Sequence, residues 1–172
     1  GMDDAMMARA LESVASMTAL TDVDLIGFSV HLSGYDVAAR AAAAERLVEW
    51  CGVARSLGLA PGTIDLGGGW PVRYVEPADR QAFCESSSPA WYHGERTPGT
   101  PYPYGHVIGG AEALSACLRA ESRRGGSVGD LVATNDLRLV VEPGRSLLDQ
   151  GGFSLFRVRD TRENRQGHGL VT

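Results

Sequence analysis

Residues 63–74 read TIDLGGGWPVRY, a short apolar run that passes directly into three glycines. Glycine inside an ordered element costs about 0.5–1 kcal/mol relative to alanine, so three in succession at the end of a strand require a local reason. Without Cβ atoms the backbone approaches a ligand closely, takes up dihedrals closed to other residues and aims successive N–H groups at an anion. A phosphate group satisfies this pattern. For an isolated GGG, a tight turn packed on a helix satisfies it equally. The run is neither GxGxxG nor a P-loop, which disfavours a nucleotide.

Working outward, SGYDVAARAAAAERLVEWCGVARSLG (33–58) predicts a helix capped by Ser33 or Asp36. Its apolar stripe is Ala44, Leu47, Val48, Cys51 and Ala54, and Gly58 closes it. Ahead of it, DVDLIGFSVHLSG (22–34) reads as a strand buried on both faces. Residues 3–20 read as a helix with Met7, Leu11, Val14 and Met17 on one side. A short helix is expected over Pro77–Glu85, followed by a segment rich in Pro, Gly and aromatics at 86–106, read as an ordered surface insertion or lid. A helix over Gly110–Arg123 leads through a loop to a third apolar strand, LRLVVE (137–142), and EPGRSLLDQGG (142–152) turns out of it. FSLFRVRD (153–160) alternates apolar and polar residues, which predicts a half-exposed antiparallel strand; NRQGHGLVT (164–172) reads as a turn and the opening of another.

Three short buried strands alternating with helices predict an α/β fold with parallel pairing, in which ligands sit at the carboxyl ends of the strands. His31 ends the first strand, Gly67-Gly68-Gly69 the second, and Glu142-Pro143-Gly144-Arg145 the third. Arg145 suits a bidentate grip on phosphate or, more blandly, a surface salt bridge. Pro143 keeps Glu142 extended at the strand end, where its carboxylate needs a partner. That partner is either Arg145 or a protonated ring nitrogen. His31 is either a satisfied strand-end histidine or a flat surface for stacking.

Composition narrows the function classes. At 172 residues, 44% apolar and 22% charged, the chain is sized for one ordinary domain with a core. A net charge of −5, from 16 basic and 21 acidic residues, offers no footprint for nucleic acid or an anionic membrane. No run approaches the ~20 apolar residues of a membrane span, and the N-terminus lacks the order of a secretory signal. Cys51, Cys84 and Cys117 are odd in number and widely spaced, as expected of reduced thiols in a cytoplasmic protein. Gly1-Met2 reads as a remnant of a cleaved tag. All 16 basic residues are arginine, so the sequence contains no lysine.

Three blocks, GFSVHLSG (27–34), DLGGGWPVRY (65–74) and VVEPGRSLL (140–148), resemble in this order the fold-type III pyridoxal-phosphate decarboxylases, the group of ornithine, arginine and diaminopimelate decarboxylases. The resemblance implies a partial (β/α)8 barrel of the alanine-racemase-like type. Residues 1–151 would form its later part, and 152–172 would cross into a truncated C-terminal β domain. It further implies that His31 stacks on the cofactor ring, that Gly67, Gly68 and Gly69 hold the phosphate through backbone amides, and that Glu142 pairs with the pyridinium nitrogen. Gly144 and Arg145 would complete the phosphate cup. Ser33 would contact the phosphate, although HLSG departs from the family's His-aliphatic-Gly-Ser order.

The implied activity is decarboxylation of an amino acid of the basic or diamino class. Because the family's Schiff-base lysine has no counterpart here, the isolated chain is expected to be inactive and to bind pyridoxal 5'-phosphate non-covalently at most. A whole barrel takes ~250 residues, so exposed strand edges predict a homo-oligomer. Two other functions fit the same residues: a lysine-free pseudoenzyme or cofactor-binding module, and an α/β phosphosugar-binding protein that uses the glycines and Arg145.

Overall fold

Cap and turn chemistry along residues 33–67 sets the frame. Asp36, rather than Ser33, accepts from the N–H groups of Ala38 (2.8 Å) and Ala39 (3.2 Å) and opens helix α2, Val37–Ser56. The predicted stripe is buried along its length, and Gly58 takes a φ of +83° just past the end of the helix. The computed structural model of the protein describes residues 2–18, 22–92, 104–163, 165, 167 and 169–172.

Strands β1 (Gly27–His31), β2 (Thr63–Gly67) and β3 (Arg138–Val141) form a parallel sheet in the order β1-β2-β3. Parallel neighbours need crossovers, and α2 supplies the first. The second runs through α3 (Pro77–Ser86), α4 (Gly110–Arg119) and α5 (Val128–Thr134). Phe28, Ile64 and Leu66 are buried in one core with α2, α4 and α5, and Val30, Leu139 and Val141 pack against it. Helix α1, Asp4–Thr18, adds Leu11 to that core, with Met7 and Val14 packed beside it.

Several expectations are corrected. Strand β1 is covered on one face only: Phe28 is buried, whereas Ser29 and His31 are exposed. The helix expected to reach Arg123 ends at Arg119, because the chain folds back there, Val128 N–H donating to Ala120 O and Ser122 N–H to Gly126 O. In the expected loop, Ser127 caps α5, its hydroxyl accepting from the Asp130 N–H while the Asp130 carboxylate accepts from the Ser127 N–H. Residues 153–160 form no strand and are exposed throughout, since no described residue covers the apolar side of their alternating pattern. Pairing starts later, between β4 (Thr161–Glu163) and β5 (Gly169–Val171), as a separate antiparallel sheet.

Of the insertion expected at 86–106, residues 93–103 lie outside the described residues. Its returning limb lies along the segment after the glycines, with Tyr74 N–H donating to Tyr104 O and His106 N–H to Val72 O.

Candidate functional site

Strand register places three of the candidate residues in one row. His31 pairs with Gly67, and Leu66 pairs with Val141, so Glu142 follows on the other side of Gly67. The imidazole and the carboxylate meet, His31 Nδ1 lying 3.3 Å from Glu142 Oε2. A Cβ at Gly67 would stand 2.7 Å from that Oε2 and 3.0 Å from Val30 O. The first glycine is therefore what lets an acid and an imidazole from its two neighbouring strands come together. Among the described residues the partner of Glu142 is His31 rather than the expected Arg145.

The next two glycines do different things. Gly68 has a φ of +99°, and a Cβ on it would fall 1.8 Å from Leu32 O, so it exists to let two turns touch. Gly69 has a φ of +68°, with nothing within 4 Å of where a Cβ would project. Gly144 (φ +55°) faces it, its own Cβ position being 3.8 Å from the Gly69 Cα, and Trp70 N–H donates to Pro143 O at 3.3 Å. Among the described residues nothing accepts from the N–H of Gly68 or Gly69.

Arg145 follows Gly144 at the start of the 3-10 turn Gly144–Leu148. Its guanidinium lies over the Tyr104 ring at 5.6 Å, and Tyr104 stacks on Tyr74. Ser33 is exposed on the turn after β1 and makes no hydrogen bond to the other candidates among the described residues. The structure thus brings His31, Gly67, Gly68, Gly69, Glu142 and Gly144 together and leaves Ser33 at the margin.

Sequence reasoning missed Arg40, Asp65 and Tyr104. Arg40 is 1% exposed in the first turn of α2, and its Nη2 donates to the carbonyls of Gly34 (2.8 Å), Gly68 (3.3 Å) and Gly69 (2.6 Å). Burial pushes its pKa down, against the pull of Cys117, Tyr35 and Asp36. The signal was present: Arg40 lies four residues before Ala44, on the apolar stripe itself. Asp65, in the middle of an apolar strand, accepts from the Ser29 hydroxyl at 3.5 Å. Tyr104 had no usable signal, since only tertiary pairing carries it to Arg145.

The family described as pyridoxal-dependent decarboxylase, pyridoxal binding domain, matches residues 4–92, about half of the chain. The chain belongs to that family. The uncharacterized protein y4yA of Sinorhizobium fredii is 39% identical over 132 residues, covering 77% of this chain and 29% of that protein. The chain therefore spans under a third of that relative's length. No solved structure matches. Pyridoxal phosphate is the cofactor of this pyridoxal-binding domain, and the glycine turn fits its phosphate on geometry: open space over Gly69, amides without acceptors, and left-handed glycines on both sides of the gap. Among the described residues, no helix is long and apolar enough to cross a membrane.

Proposed function

We propose that these residues are the cofactor-cradling part of an amino-acid decarboxylase of the basic or diamino-acid class, with His31, Gly67, Gly68, Gly69, Glu142, Gly144 and Arg145 as its cofactor contacts. The observation that carries the reading is the His31–Glu142 meeting over Gly67, in the same row that ends in the acceptor-free glycine turn. When bound, pyridoxal phosphate supplies a sink for the electron pair released as CO2 leaves. Glu142 would hold a proton at the ring nitrogen, His31 would cover a ring face, and the amides of the glycine turn would bind the phosphate with Arg145 nearby. Ser33, exposed and without a hydrogen bond to these residues among those described, is left out of this set.

The same proposal extends to architecture. A parallel three-stranded sheet with helices on one face is what a sector of a (β/α)8 barrel requires, and its outer strands β1 and β3 each have an unpaired edge among the described residues. Phe153, Leu155 and Phe156 are 86–87% exposed, which supports a boundary near residue 152 and cover from further barrel strands or a second copy. Because the sequence holds no lysine, this chain would bind the cofactor non-covalently and lack decarboxylase activity alone.

Pyridoxamine 5'-phosphate, which lacks the aldehyde, tests the site without covalent capture. The chain is expected to bind it with saturable fluorescence changes, weakened tenfold or more by Glu142→Ala, and to ignore ribose 5-phosphate. Binding of the sugar phosphate but not of pyridoxamine 5'-phosphate would replace this reading with a phosphosugar site. Borohydride reduction with pyridoxal phosphate should leave every side chain unmodified.

A further inference from the structure

We infer that Arg40 is the positioning residue of the phosphate cup: it turns the Gly69 amide outward by holding the Gly68 carbonyl from behind. The inference rests on the proposed phosphate site. Arg40 is 1% exposed, flanked by alanines in the first turn of α2, and it makes no ion pair among the described residues. Its side-chain hydrogen bonds go from one nitrogen to three backbone carbonyls, those of Gly34, Gly68 and Gly69. Gly34 belongs to the turn after β1 and the two others to the turn after β2, so one guanidinium ties together two loops that border the site.

Peptide planarity gives this tie a direction. All peptide bonds in the described residues are trans, and in a trans peptide the C=O and the following N–H point opposite ways. With Gly68 O turned toward Arg40, the N–H of Gly69 faces away from it, and nothing described accepts from that N–H. With Gly69 O held likewise, the N–H of Trp70 also faces away, and it donates to Pro143 O at the rim of the gap. The glycine φ values of +99° and +68° leave the turn soft in isolation, so a buried donor is what fixes the peptide planes.

A purely structural arginine would satisfy its whole fork. Arg40 does not: Nε and Nη1 are buried without a hydrogen-bond partner among the described residues, and the guanidinium lies over the Trp70 ring at 4.9 Å. Burying a cation with unspent donors is costly, and that cost is explained if the cation orients the Gly69 amide toward an anion whose charge it also favours.

The test is an NMR titration of the full chain, wild type, Arg40→Met and Arg40→Lys, with pyridoxamine 5'-phosphate and with pyridoxamine, reading affinity and the Gly69 amide resonance. The expected result is a loss of tenfold or more in affinity for the phosphate ester in Arg40→Met and a smaller loss in Arg40→Lys. Pyridoxamine should bind both variants within twofold of wild type, and the phosphate-induced shift of Gly69 should vanish in Arg40→Met. Equal weakening of both ligands, or unchanged binding of both, overturns the assignment while leaving the cofactor site standing. Loss of the fold in both variants also overturns it, since Arg40 would then support the fold alone. A wild-type chain that binds neither ligand removes the proposed site first, and Arg40's role with it.

Discussion

The two faces of the parallel sheet differ in what they are made for. On one, Ile64 and Leu66 are wholly buried against α2, α4 and α5. On the other, one residue out of step along the same strands, stand Ser29, His31, Asp65, Val140 and Glu142, exposed or half buried. Strand alternation sends successive side chains to opposite faces, so three short strands carry both a core and a polar site without lengthening. The lesson is a division of labour: one face holds the fold and the other is free to hold a ligand.

The largest effect that sharpens this contrast is Leu66→Ala, which should cost ~2–5 kcal/mol of unfolding free energy, the range for truncating a packed core leucine. Val140→Ala on the open face should cost less than ~1 kcal/mol. Urea unfolding of the two variants measures the difference, and equal losses would break the comparison.

Next come the glycines. Gly68→Ala must push Leu32 O away and hold a strained φ, lowering stability by ~1–3 kcal/mol and disturbing both turns. Gly69→Ala meets open space and pays only for its left-handed φ, roughly 1–2 kcal/mol. Its main loss should be in pyridoxamine 5'-phosphate affinity, because the methyl group would take up part of the open space at the glycine turn. Melting curves read beside ligand titrations separate the two positions.

His31→Ala should move stability by no more than ~1 kcal/mol, since its contact with Glu142 is open to solvent on both sides. Ligand binding should fall instead. A variant that unfolds without changing affinity would place His31 with the core-facing residues.

The smallest effect concerns the start of α5 and pH. Hydrogen bonds from the Ser127 N–H and hydroxyl hold the Asp130 carboxyl below its ordinary 3.8. A carboxyl whose folded pKa is lowered contributes stability that is present above the unfolded value and is lost as pH falls through the folded one. Ser127→Ala removes the hydroxyl's share, so its urea midpoint should fall less than wild type's between neutral and acidic pH. Parallel acid profiles would show that the cap does not couple to Asp130.

Much of this was legible because it depends on neighbours in sequence. The α2 stripe, the Asp36 cap among two candidates, Gly58 beyond the helix and the apolar runs of β2 and β3 are local patterns. So is the identity of the residues at the strand ends, which proline and glycine mark out. The alternating pattern of 153–160 misled for the same reason: it specifies a strand only if a surface exists for its apolar side, and periodicity carries no information about that surface. Arg40 was missed because a lone arginine beside alanines reads as the solvent face, although its spacing from Ala44 places it inward.

By itself, the sequence determined a lysine-free α/β chain whose chemistry gathers at strand ends, because strand and helix periods, caps and glycine freedom are properties of consecutive residues. Only the tertiary structure decided that Glu142 meets His31 across Gly67 and that one buried guanidinium gathers the carbonyls of two turns. Apart from Arg40 to Gly34, six positions apart, those contacts join residues 28 to 111 positions apart. Their existence follows from strand register and helix docking, which are set by packing of the whole core rather than by any local run.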